Sequence, residues 1–180
     1  MEPIDIISYW YSDKIQKHWF SSTPELDKEI RKKYEQTWIS AAAGELDEWR
    51  NTPEGCLALI IILDQLPLNM FRGESKSFQT ERKAIEVALT AINHSFDKKL
   101  GNDKLPFLFM PFMHSEKLEE QNLSVKLYKE HNLGNNLRFA QHHREIVKRF
   151  GRFPHRNKIL DRESTKAENE YLNSKNSFKG

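Results

Sequence analysis

Apolar residues return along most of this chain at the three- and four-residue spacing of a helix face. Ile4, Ile7 and Tyr11 behind Pro3 predict a short first helix. Thr23-Pro24 reads as an N-cap and first-turn proline, and the stripe Leu26, Ile30, Tyr34, Trp38, Ala41 predicts a long helix closed by Gly44. After the turn-like Thr52-Pro53-Glu54-Gly55, the run CLALIIILDQ is apolar on every side. It could be a buried strand, but no second strand candidate exists to pair with it, so it is read as a central buried helix stopped by Pro67.

From about Phe78, the residues Ile85, Ala88, Leu89, Ile92 and Phe96 line one helix face, and a polar loop follows to Pro106. Phe107 to Met113 is apolar, with Ser115 placed to cap a helix carrying Leu118, Gln121, Val125 and Tyr128 on one side. A further helix from about Leu137 to Phe150 turns Phe139, His143, Ile146, Val147 and Phe150 inward and His142 outward, and ends at Gly151. Thr165 with Glu168 three residues on has the form of a capping box. The expected fold is therefore all-α: one compact domain over residues 1–172 and a polar, disordered tail over 173–180.

Composition narrows the function classes. Hydrophobic residues are only 38%, but 11% aromatic content over 180 residues supplies enough ring area for one core and argues against disorder. A formal charge of +2 gives no overall attraction to nucleic acid. The single cysteine, Cys56, has no internal partner and lies in the apolar run, which points to a reducing compartment. The N-terminus has no basic, long apolar leader, and the longest apolar run is eight residues; a cytoplasmic protein without a membrane segment is expected.

Candidate chemistry gathers where polar groups interrupt apolar segments. FGRFPHRN, Phe150 to Asn157, sets Arg152, His155, Arg156 and Asn157 among rings, a glycine and a proline, a rigid turn suited to an anion or to internal carboxylates. From Arg144 to Arg162 the chain carries seven Lys or Arg against Glu145 and Asp161. Asp64 and Gln65 end the greasy run; Asp64 is read either as a base or as the partner of Arg72, Arg152 or Arg156. His114 and Glu116 flank a helix start, Gln121 sits on an apolar stripe, and His143 faces inward, each open to a structural or a functional role. The histidines lack metal-ligand spacing, and no phosphate-loop, dinucleotide or nucleophile-elbow motif is present, so neither a metal nor a cofactor is expected.

The segments LALIIILDQLPLNMFRG (57–73), FMPFMHSE (109–116) with Gln121, and HREIVKRFGRFPHRN (143–157) followed by LDREST together resemble the bacterial "domain of unknown function 924" family. The resemblance spans nearly the whole chain. It implies antiparallel helical hairpins of the tetratricopeptide-like superfamily and brings no established activity. The family pattern DQFPRN is altered here by Leu66 and Leu68, and Asp161 stands where a glycine is usual before Arg162.

Two functions follow. In the first, a composite pocket binds a small anionic ligand through Gln65, Asn69, Arg72, Gln121, Arg152, Arg156 and Asn157, with hydrolytic or acid–base chemistry open to His114, Glu116, His143, His155 and Asp64. In the second, the same groups are internal braces and the helices present a groove to a protein partner.

Overall fold

A computed structural model describes residues 1–175 and 177–179 of the chain. Every regular element among them is a helix, as the periodicity predicts. The chain divides into two units, Met1–Pro111 and Phe112–Gly180.

The N-terminal unit opens with α1 (Pro3–Trp10), α2 (Asp13–Gln16) and α3 (Pro24–Ala43). α3 starts as its sequence dictates: the Leu26 N–H donates to Thr23 Oγ1 at 3.3 Å, with Pro24 in the first turn. All five residues of its stripe are buried, and Gly44 at φ 86° ends it in the left-handed region.

α4 (Pro53–Ile60) carries the apolar run, in which Cys56 to Leu63 are each at most 1% exposed. Its entry depends on Gly55, because a Cβ there would lie 1.9 Å from the Trp49 carbonyl oxygen. Burial raises the Cys56 thiol to about 11, with the Arg50 charge pulling the other way, so the side chain behaves as a small hydrophobe.

Pro67 does not stop this segment. The helix widens into a π turn at Ile61–Gln65 and continues as α5 (Leu66–Met70). Proline has no N–H to offer the carbonyl four residues back, Leu63; the Thr80 hydroxyl donates to that oxygen at 2.6 Å instead. Thr80 Oγ1 in turn accepts from Trp38 Nε1 at 3.0 Å, which ties the turn to α3. α6 (Glu81–Asn93) packs on α4 and buries Ala84, Ile85, Val87, Ala88 and Ala91, leaving the predicted Leu89 and Ile92 half-buried.

α7 (Leu105–His114), with Pro111 inside it, carries the chain into the C-terminal unit. There α8 (Leu118–Glu130) and α9 (Gly134–Phe150) pack on each other as a hairpin across the short connection at 131–133. α8 buries Gln121, Ser124, Leu127 and Tyr128, while Leu118 is exposed. Ser115 lies two residues before the Lys117 cap; its Oγ accepts from the Lys117 N–H at 3.0 Å and donates to Glu120. α9 buries Ala140, His143, Ile146 and Val147, leaves His142 exposed and also leaves Phe139, predicted inward, 55% exposed.

The capping box forms as predicted at α10 (Lys166–Leu172): Glu168 N–H donates to Thr165 Oγ1, and Thr165 N–H donates to Glu168 Oε2 at 2.7 Å. Ile146, Val147 and Phe153 form a small core against which Phe150, Tyr171 and Phe178 pack. The tail predicted to be disordered includes Asn176 and Gly180, which lie outside the described residues, whereas the Phe178 N–H donates to Tyr171 Oη at 2.8 Å.

Candidate functional site

FGRFPHRN folds around Phe153, which is 1% exposed. After Gly151 ends α9, Pro154–Arg156 makes one tight helical turn that leaves Arg156 and Asn157 buried. The Arg156 guanidinium lies over the Phe153 ring, 4.8 Å from its centroid. The His143 and His155 rings meet Phe153 at 5.4 and 5.6 Å between centroids. The turn is closed downstream by Arg162 N–H donating to the Asn157 carbonyl at 2.8 Å and by Asn157 Nδ2 donating to Ser164 Oγ at 3.0 Å.

Two carboxylates answer the arginines of this region. Arg152 donates through Nε and Nη2 to both oxygens of Glu168, at 2.7 and 2.9 Å, and through Nη2 to the Glu163 carbonyl. Those Arg152 hydrogen bonds, with the Thr165 N–H, outweigh burial and bring Glu168 down to about 2. Glu116 accepts from both Nη atoms of Arg162, at 2.7 and 2.9 Å, and from the Phe153 N–H at 2.8 Å. Burial opposes its charge, but Arg162, the Phe153 N–H and the nearby Arg156 together hold it below the usual carboxylate range. Glu116 is thus an ionised brace between the turn and the start of α8, a state suited to positioning rather than to giving up a proton.

The histidines behave differently. The His143 Nδ1–H donates to the Phe139 carbonyl at 2.8 Å, an assignment set by the carbonyl being an acceptor only. Burial lowers its pKa to about 3, and burial followed by the Arg156 charge lowers His155 to about 4. The charge of half-buried His114 disfavours protonation of both. His143 and His155 are therefore neutral rings at pH 7. Gln121, fully buried, ties α7 to α8 by donating from Nε2 to the Met113 and Ser115 carbonyls at 2.7 Å each. Its Oε1 and the Asn157 Oδ1 are buried with no hydrogen-bond partner among the described residues.

Beside His155 opens a cleft of about 390 Å³ lined by Pro154, Lys158, Ser164, Asn169, Leu172 and Lys179. The described residues that line it include two lysines and no carboxylate. Of the residues singled out in the sequence, only His155 lines it. Lys158 counts only as one of the cations between Arg144 and Arg162, and Ser164, Asn169 and Lys179 give no local signal, being ordinary polar positions. The partner roles of Arg162 and Glu168 were also missed, although the capping box had already placed Glu168 at a helix start.

In the N-terminal unit, Asn69 and Arg72 converge on Asp27, near the start of α3. Asp27 accepts from Ser22 Oγ at 2.7 Å, Asn69 Nδ2 at 2.8 Å and Arg72 Nε at 2.6 Å. Burial opposes its charge, and these hydrogen bonds, Arg72 first, lower its pKa nonetheless. Arg72 therefore finds its carboxylate in Asp27. Asp64 and Gln65, both buried, end the π turn, with Gln65 Nε2 donating to Asp64 Oδ2 at 2.5 Å. Among the described residues, no three of His, Cys, Asp and Glu are grouped to hold a metal ion, and no helix is long and apolar enough to cross a membrane.

The chain matches the model of a bacterial protein family of unknown function, DUF924, over residues 6–176. It is also similar to a solved structure of a protein of unknown function from Agrobacterium tumefaciens, at 37% identity and a TM-score of 0.89, covering 95% of this chain and 96% of that one. No curated protein matches it.

Proposed function

This chain belongs to DUF924, a family without an assigned activity, and we propose that its C-terminal unit binds a small anion in the cleft beside His155. The observation that carries the reading is the lining: Lys158 and Lys179 as cations, Ser164 and Asn169 as neutral hydrogen-bonding groups, and no acid among the described residues that line the cleft. Arg156 and Asn157, in the turn that forms one wall, add positive charge and a buried amide behind it. Arg152 and Glu116 fix that wall by their ion pairs. Any acid–base step on the ligand falls to His155, a neutral imidazole on the cleft.

Calorimetric titration with inorganic phosphate tests the reading. Binding is expected to weaken about tenfold in Lys158→Ala and to fall with added salt. Phosphate affinity that is the same in Lys158→Ala and in a Lys158→Ala/Lys179→Ala double variant as in the parent would remove the cleft as the site. The interaction-module alternative draws instead on Phe20 of the N-terminal unit, which at 82% exposure is the most open large hydrophobic among the described residues. It predicts no phosphate binding by the parent protein.

A further inference from the structure

Phe178 is a single ring in a polar tail, and it stands among imidazoles. Its centroid is 4.4 Å from His143 and 5.0 Å from His155, meeting each nearly edge to face, at 62° and 81°. Phe153 also meets both imidazoles, at 5.4 and 5.6 Å between centroids. These three rings make a slot for a flat aromatic group. His155 is shared between slot and cleft, and Lys179, next in sequence to Phe178, lines the cleft.

Resting on the anion-binding reading, we infer that this slot is the ring-binding half of the same site, that Phe178 fills it in place of a ligand, and that the ligand is an aromatic anion: a flat ring carrying a phosphate or carboxylate. The ring would lie against His143 and His155, and the charged group would reach Lys158. The slot suits an aromatic ring more than an aliphatic one because neutral imidazoles present polarised edges to a π face. The occupant is displaceable. Among the described residues, the tail near Phe178 is held by the ring contacts, by the packing of Phe178 on the Ile146, Val147 and Phe153 core, by its N–H bond to Tyr171 Oη and by a 3.3 Å turn bond from Ser177 N–H to the Ser174 carbonyl. Phe178 itself is only partly buried. A tethered ring competes as an intramolecular ligand, so it lowers the affinity of a free aromatic anion without abolishing binding.

The test compares phenyl phosphate, cyclohexyl phosphate and inorganic phosphate on the full chain and on Phe178→Ala by calorimetry. Phenyl phosphate is expected to bind Phe178→Ala about tenfold more tightly than the parent, with inorganic and cyclohexyl phosphate changing by less than about twofold. Equal gains for all three, or none for phenyl phosphate, would overturn the slot while leaving the cleft standing. Loss of inorganic phosphate binding from both proteins would instead overturn the cleft, and the aromatic-anion assignment with it. Should Phe178→Ala fail to fold, the parent still decides the matter. Phenyl phosphate but not inorganic phosphate is expected to shift the His143 ring resonances as Phe178 leaves, because His143 faces Phe178 and does not line the cleft, and unmoved His143 resonances at saturation with phenyl phosphate reject the inference.

Discussion

Arg152 lays the edge of its guanidinium across both oxygens of Glu168, joining the turn after α9 to the first turn of α10 by two short hydrogen bonds. The glutamate side chain is 3% exposed and the arginine 27%, so the pair is mostly withdrawn from water on one side only. Removing Arg152 strands a buried carboxylate that still caps α10. Arg152→Ala is therefore expected to lower stability by about 2–3 kcal/mol in urea unfolding, and Arg152→Lys, which cannot reproduce the paired geometry, by about half of that. A loss below about 0.5 kcal/mol for Arg152→Ala would show the pair to be no stronger than a surface one.

Acid should unfold the C-terminal unit through its histidines. The pKa of His143 falls from 6.5 in the unfolded chain to about 3 on folding, and that of His155 from 6.5 to about 4. Between these values the unfolded chain binds protons that the folded chain does not. Stability is then fully present above pH 6.5 and declines as the pH falls toward 4, by up to about 1.4 kcal/mol per pH unit for each histidine. Glu168 adds to the same trend below its ordinary 4.5. Denaturant midpoints measured from pH 7 to 4 should drop steadily, and His143→Phe should flatten the slope.

Asp161 occupies the left-handed region at φ 52°, at the position where the sequence resemblance implies a glycine. An aspartate tolerates this conformation at a cost that glycine does not meet. Asp161→Gly is expected to raise stability by about 0.5–1 kcal/mol, seen as a higher thermal midpoint, whereas Asp161→Val should lower it.

Thr80 serves two groups at once, the Leu63 carbonyl released by Pro67 and the Trp38 indole N–H. Thr80→Val keeps the shape and leaves both buried and unanswered. The expected cost is about 2–3 kcal/mol by denaturation, against about 1 kcal/mol for Thr80→Ser, which retains the hydroxyl.

Much of this could be read locally. The cap, the stripe and the closing glycine of α3 lie within one segment, and each element of the pattern reappears in the structure. The capping box of α10 was legible for the same reason. Pro67 was misread because the group that replaces its missing N–H comes from Thr80, thirteen residues further on, and no local pattern announces it. The arginines were recognised as needing an anion, but which one depends on contacts across 16 residues for Arg152 and 45 for Arg72. Lys158 and Asn169 become notable only when the turn and α10 bring them to one cleft. Phe178 was the missed clue, since a lone ring in a polar tail has to pack somewhere or stay exposed at a cost.

The burial of Cys56 makes the N-terminal unit its own reporter. With one thiol in the chain, sealed in α4 and held mostly protonated, a disulfide reagent has nothing to attack until that helix opens. The rate of thiol modification under native conditions then measures how often the innermost helix of the unit comes apart. Ligand-induced protection of Cys56 would show that binding in the C-terminal unit suppresses opening of this helix, with no residue changed.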